Sequence, residues 1–379
     1  VVLVGSTTLG ALGAIGVAVG FAAAPTQAAF SYLTAWAYAV SIALGGLIFL
    51  MIGHATGARW VIVFRSFTEA IVASLPVLAV LFVPIALSLD RLYPWVDPSP
   101  ALGEEALVRL AHKAPYLNVT AFMVRAAGFF VLWIVIGELL MRWSSRAGHE
   151  DRRHGPRLRA LSAAGFPPVA LALTFAAFDW LMSLTPAWYS TIFGLLYFSG
   201  GFVAALSVVA VIAHQARRAP VVASSIHPSH TGALGRLLFA FLVFWAYMEF
   251  SQGIIIWIAN KPDEVPWYVA RGAGAWGDVF AVLVIGHFAI PFFALLSKPL
   301  KRRPALLALA GAWLLALHYV DVYWLVMPVL HPTLALHWLD LAAPCAVVGL
   351  ATAFATARAR HPMPDGDPQF ASALRYEGT

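Results

Sequence analysis

The sequence predicts an all-α, polytopic membrane protein with ten transmembrane helices. Two four-helix bundles, helices 2–5 and 6–9, are flanked by helices 1 and 10. Three observations carry this. Of 379 residues, 61% are hydrophobic and only 11% charged. The apolar residues fall in runs near the ~20 that a helix needs to cross a bilayer. The basic residues gather in alternate loops, and two groups of four helices show a weak internal repeat.

The ten runs cover about 1–21, 29–54, 67–89, 119–143, 162–184, 188–214, 234–260, 273–297, 304–327 and 333–358. Gly5, Gly10, Gly13, Gly16 and Gly20 give helix 1 little side-chain volume, which suits close packing against another helix. The chain opens on Val1, and the first helix is expected to be truncated rather than a cleaved signal peptide. Residues 90–118, with four prolines, form a long loop with a short surface helix at 104–112. Residues 144–161 form a basic loop. Pro186 sits in a tight turn at 184–189, and 215–233 is polar. Residues 1–360 are expected to be one transmembrane domain, with bundles at about 29–184 and 188–327, and 361–379 a hydrophilic tail.

Orientation follows from the loops. One set holds Arg59 and Arg65; Arg142, Arg146, Arg152, Arg153, Arg157 and Arg159; Arg217, Arg218 and Arg236; Lys298, Lys301, Arg302 and Arg303; and Arg358, Arg360 and Arg375. The opposite set has Arg91, Arg109, Lys113, Lys261 and Arg271, and Arg125 lies inside a helix. This bias puts the first set, and both termini, in the cytoplasm. A miscount by one helix would scramble the alternation.

The repeat pairs helix 2 with helix 6. Gly45-Gly46 and His54 in one match Gly200-Gly201 and His214 in the other, although the glycine-to-histidine spacing differs. Helix 5 ends in Phe178-Asp179-Trp180-Leu181 before Pro186, and helix 9 in Val320-Asp321-Val322-Tyr323-Trp324-Leu325 before Pro328. A shift of four helices preserves direction, so this is a parallel repeat.

Composition excludes several functions. The net charge of +6 would suggest nucleic acid in a soluble chain, but here basic residues anchor loops. One cysteine, Cys345, cannot hold an iron–sulfur cluster or an internal disulfide. Phosphate-binding glycine loops, HExxH and nucleophile-elbow motifs are absent from the sequence. Bis-imidazole haem ligation in a bundle needs two histidines at matched depth on facing helices. His287 lies near mid-membrane and His318 nearer the external side. No residue is assigned as catalytic, cofactor-binding or metal-binding. Aromatics such as Tyr93, Trp95, Trp188, Trp267 and Trp276 fit an ordinary interfacial belt.

Ionisable residues cost roughly 2.5–3.5 kcal/mol each at a helix centre on insertion scales. His54, Glu69 and Glu138 fall on the cytoplasmic side. Glu249, Gln252 and His287 fall near mid-depth. Arg125, Asp179, Asp278, His318, Asp321 and Asp340 fall in the external half. Glu249 with Gln252, and His318 with Asp321, are three apart and share a face. The proton-path candidates are Glu249, Gln252, His287, His318, Asp321, Asp278, Glu69 and Glu138. Glu69, Glu138, Asp278 and Asp340 also suit interfacial or capping roles, and His54 and His214 suit helix C-termini. Arg125 and Asp179, at similar depth in one bundle, are candidates for a structural ion pair. A polar core that only fixes helix register is the alternative for all of them.

Several stretches occur together in order: Ser31-Tyr32-Leu33, His54-Ala55-Thr56-Gly57-Ala58-Arg59-Trp60, Leu75-Pro76-Val77-Leu78 and Leu92-Tyr93-Pro94-Trp95. Phe178-Asp179-Trp180-Leu181-Met182-Ser183-Leu184, Phe244-Trp245-Ala246-Tyr247, Pro262-Asp263-Glu264-Val265-Pro266-Trp267-Tyr268 and His287-Phe288-Ala289-Ile290-Pro291-Phe292 follow. From about residue 30 to 375 the chain resembles the NrfD/PsrC-like (polysulfide-reductase) membrane-anchor family, and within it the F-type subunits of bacterial alternative complex III. The resemblance implies a cofactor-free subunit of a respiratory quinol:electron-acceptor oxidoreductase in the bacterial inner membrane. It implies scaffolding and a transmembrane proton path. Implied partners are a sister NrfD-like C subunit, an iron–sulfur B subunit, c-type haem subunits, small membrane subunits and lipids, with quinol nearby and no nucleic acid. A quinol-binding catalytic subunit and a stand-alone secondary transporter are the competing readings.

The orientation is testable. In a Cys345→Ser background, Glu105→Cys is expected to react with an impermeant thiol reagent from outside whole cells. Reaction only from the cytoplasmic face would reverse the assignment.

Overall fold

The structure, a computed structural model, describes residues 2–99, 104–146, 154–359 and 370–377. Arg152, Arg153, Arg360 and most of the 361–379 tail lie outside the described residues. The fold is all-α, and ten segments are long and apolar enough to cross a membrane. They are α1 (Val2–Ala23), α2 (Pro25–Thr56), α3 (Arg59–Ala86), α4 (Val119–Ser144), α5 (Gly155–Leu184), α6 (Phe193–Ala216), α7 (Pro228–Ala259), α8 (Gly274–Leu296), α9 (Pro304–Val329) and α10 (Leu339–Arg358). The chain is thus a multi-pass membrane protein. The end bearing residues 217–227 and 297–303 is called the basic end here.

Several helices begin elsewhere than the hydropathy runs suggest. α2 starts four residues earlier than 29 and α7 six earlier than 234, because Pro25 and Pro228 sit in their first turns. α10 starts at Leu339 rather than 333, since Asp340 in its first turn accepts the backbone N–H of His337. The short helix in the long loop runs Glu104–Lys113.

α2 and α6 form the centre. Of their most apolar windows 83% and 72% is buried, against 17% of α1. α2 packs on α3, α5, α6, α9 and α10, and α6 packs on α2, α5, α7 and α9. The two glycine pairs meet where α2 crosses α6. A Cβ on Gly45 would lie 2.5 Å from the Gly201 carbonyl oxygen, and one on Gly201 2.7 Å from the Ser41 carbonyl oxygen. Without a hydrophobic force between helices in lipid, such backbone approach supplies the contact. Gly200 turns towards His318 and Asp321, and Gly46 towards Ile71. α1 leans on α10 in the same manner, with Gly13 against the Ala346 backbone.

Two crossings are irregular. α3 is built from a 3-10 turn at Arg59–Phe64 and short helices at Arg65–Val72, Leu75–Val80 and Val83–Ala86. Pro76 and Pro84 lack the N–H that would continue a helix, so each opens a new segment. Trp36 and Tyr32 in α2 then bond the freed carbonyls of Leu78 (2.9 Å) and Leu81 (2.8 Å). In α8, residues Leu283–Ala289 form a π-helix. Pro291 stands four residues beyond His287, where its ring would collide with the His287 carbonyl of a regular α-helix. The wider turn avoids this, and the Trp313 indole bonds the Gly286 carbonyl at 2.8 Å.

Gly45→Val is expected to destabilise the protein by about 1–3 kcal/mol or more, the cost of overpacking a tight crossing. Gly128→Ala, where a Cβ meets nothing within 4 Å, should be neutral. Thermal unfolding in detergent compares the two.

Candidate functional site

Hydrocarbon offers no hydrogen bonds, so a buried polar side chain needs a protein partner or a bound one. This criterion sorts the buried ionisable groups into two kinds.

Asp340 and Asp179 are satisfied. Asp340 accepts from Ser31 Oγ (2.6 Å), Gln27 Nε2 (3.3 Å), Tyr323 OH (3.0 Å) and the His337 backbone N–H (2.9 Å). Gln27 extends this network to His331. It ties the ends of α2, α9 and α10 together. Asp179, fully buried, pairs with Arg125 through two bonds, Nε–Oδ2 at 2.7 Å and Nη2–Oδ1 at 3.0 Å. Arg125 also donates to the Tyr116 carbonyl and lies 3.9 Å from the centre of the Tyr116 ring. Every charge here has an answer, which is the arrangement of a structural brace.

Glu249, His287, His318 and Asp321 are not satisfied. The structure brings α7, α8 and α9 together around them. The His287 ring is fully buried, neither nitrogen has a hydrogen-bond partner, and it lies 4.2 Å from the Trp245 ring. The π-turn swings it towards α9, with 6.5 Å between the His287 and His318 ring centres. His318 Nε2 lies 2.9 Å from Ser41 Oγ, while Ser41 donates its one hydrogen to the Tyr38 carbonyl at 2.7 Å. With that hydrogen on Tyr38, His318 is the donor at Nε2. Its Nδ1 faces Asp321 Oδ2 at 3.4 Å. Asp321 Oδ1 and Glu249 Oε1 are enclosed without partners. Asp321 lies within electrostatic reach of both Glu249 and His287.

Depth differs from the sequence expectation. His318 touches Ser41, in the middle of α2, and Gly200, in the first third of α6. Glu249 lies past the middle of α7, because that helix begins at Pro228. His318 Nε2 is engaged by Ser41, and a Cβ on Gly200 would lie 2.9 Å from His318 Cε1. Among the described residues no group of three or more His, Cys, Asp or Glu converges in a metal-binding arrangement.

The remaining candidates lie elsewhere. Gln252 is taken by Ser190, whose hydroxyl donates to its amide oxygen. Asp278 is exposed on α8. Glu69 and Glu138 line a polar chamber of about 140 Å³ at the basic end, with Arg142 and Arg358. Arg358 bonds Glu138, and Arg65 lies 3.7 Å from Glu69. His54 and His214 occupy the last turns of α2 and α6.

Sequence reasoning missed Ser41, Tyr268 and Arg271. Tyr268 and Arg271 lie on the short helix Val265–Gly272. Arg271 is buried and donates to the Trp267 and Leu325 carbonyls, yet its Nε has no partner. Burial pushes this guanidinium down to about 9. A cation four residues after a Trp in an otherwise apolar segment was the available signal. No family model matches the chain, and no curated protein matches it.

The two kinds of group should respond differently to mutation. Asp179→Asn or Arg125→Ala is expected to cost about 3–5 kcal/mol by leaving one partner buried alone. Glu249→Gln, which breaks no bond of Oε1, should change stability by less than about 1 kcal/mol. Denaturant unfolding of the purified variants measures both.

Proposed function

We propose that the chain is a cofactor-free integral subunit of a respiratory quinol:electron-acceptor oxidoreductase of the alternative complex III type. In this reading it scaffolds the complex and provides part of a transmembrane proton path. The chain sits in a bacterial inner membrane with its basic end in the cytoplasm. α2–α5 and α6–α9 form the two four-helix bundles, flanked by α1 and α10. Its partners are a sister NrfD-like C subunit, an iron–sulfur subunit and c-haem subunits. The resemblance of the ordered sequence stretches supports the assignment to such a complex. One structural observation supports the proton path: the run of partnerless polar atoms on Glu249, His287, His318 and Asp321.

The chemistry proposed is proton transfer without redox change. Ser41 fixes the His318 tautomer, and Nδ1 and Asp321 Oδ2 hold a proton between them. Asp321 exchanges it with Glu249 or His287 through water, the one small molecule able to satisfy several such atoms at once. From Glu249 the route continues to Tyr268 and the end opposite the basic one. Glu69 and Glu138, in their polar chamber, form the entry at the basic end.

Two measurements test this. The chain should copurify with iron–sulfur and c-haem subunits and show no haem absorption of its own; a b-type haem spectrum in the isolated chain would refute the cofactor-free assignment. In reconstituted vesicles, Glu249→Gln and His287→Phe are expected to keep quinol oxidation and to lower proton movement per turnover. Unchanged proton stoichiometry in both would end the proton path.

A further inference from the structure

Beside Glu249 the structure has a cavity of about 580 Å³, within the size range of small-molecule sites. Its walls are aromatic, including Trp245, Trp257, Tyr268 and Trp324. Trp257 and Phe250, at its mouth, are 77% and 64% exposed on a helix that crosses the membrane, so the opening faces lipid. Inside, three polar atoms have no partner: Glu249 Oε1, Trp245 Nε1 and Tyr268 OH. Glu249 is half-buried, but that carboxyl oxygen is enclosed.

We propose that this cavity binds a lipid-borne organic cation, an amphiphilic amine or quaternary ammonium, with its charge against Glu249. Aromatic faces attract cations through their quadrupole, and indole does so best. A carboxylate among such rings adds the full charge. Among the described residues no cation is paired with Glu249 Oε1. Arg271 is turned to the Trp267 and Leu325 carbonyls through Nη1 and Nη2, with Nε left over, while a second carboxyl, Asp321, lies within reach of the first. Lateral opening to lipid selects a ligand that reaches the site from the bilayer.

Binding is an exchange. The Glu249 carboxylate and the cation form an ion pair, and a proton carried by that carboxyl leaves as the cation enters, so charge balances with one proton exchanged for one cation. The titratable and charged groups around it are His287 from α8, His318 and Asp321 from α9, and Tyr268 and Arg271 from Val265–Gly272. A proton on Glu249 removes the charge that holds the cation, so proton and cation compete for one carboxylate. Affinity therefore falls as pH falls.

The proposal rests on the cavity and Glu249 alone. It is tested by binding without turnover, so its failure is distinct from failure of the proton path. The probe is radiolabelled 4-phenylbutyltrimethylammonium, applied to the full chain in its complex in lipid nanodiscs. Its neutral isostere carries a tert-butyl group in place of trimethylammonium. Saturable binding of one cation per chain is expected, with the isostere at least about tenfold weaker. Glu249→Gln should weaken binding by roughly tenfold to a hundredfold, and Glu249→Asp should retain most of it. Trp257→Leu, at the exposed mouth, should weaken binding about threefold to tenfold with the thermal transition unchanged. Equal binding of the neutral isostere, or unchanged binding in Glu249→Gln, would overturn the proposal. So would saturable binding of a neutral hydroquinone analogue that displaces the cation equally well in wild type and Glu249→Gln.

Discussion

The absence of water in the hydrocarbon governs this molecule. Each polar atom that the chain carries into the membrane must be matched by another. Asp340 is matched by four donors from three parts of the chain, and Asp179 by a two-pronged guanidinium. These groups hold helices in register. Against them, the open valences of Glu249, His287, His318 and Asp321 stand out because they share one region between α7, α8 and α9. A fold able to satisfy a carboxylate four times over at Asp340 has left these four groups incomplete, as a site for a mobile proton or ligand requires.

The crossing of α2 and α6 makes that region possible. Gly45 and Gly201 bring the two backbones into contact, and this puts Ser41 beside His318. Gly200, one residue away, gives the His318–Asp321 pair its space. From the other side the π-turn forced by Pro291 aims His287 at the same point. Small residues and a proline, rather than charged ones, therefore determine where the charged ones meet.

The number of membrane crossings was legible in the sequence, because runs of twenty apolar residues have no other stable use. Pro76, Pro84 and Pro291 stand in the sequence as residues that break a regular helix, but the π-turn was not legible, since it depends on a carbonyl finding the Trp313 indole across helices. Helix starts were missed where a proline or cap lay in polar sequence outside the apolar run, as at Pro25 and Pro228. Depth was the weakest inference. Glu249 was placed near mid-depth, whereas the start of α7 at Pro228 puts it past the middle of that helix. Besides the neighbouring His337, the partners of Asp340 come from residues 27, 31 and 323, and no local pattern links positions so far apart. Single features such as Asp321 three residues after His318 were legible because helical periodicity alone puts them on one face.

Infrared difference spectroscopy of the carboxyl C=O stretch, recorded between two pH values in light and heavy water, tests most directly whether the unsatisfied cluster exchanges protons. A carboxyl band that changes with pH, shifts in heavy water, disappears in Glu249→Gln and persists in Asp340→Asn is the predicted result. A spectrum in which Glu249→Gln leaves every pH-dependent carboxyl band in place would contradict it.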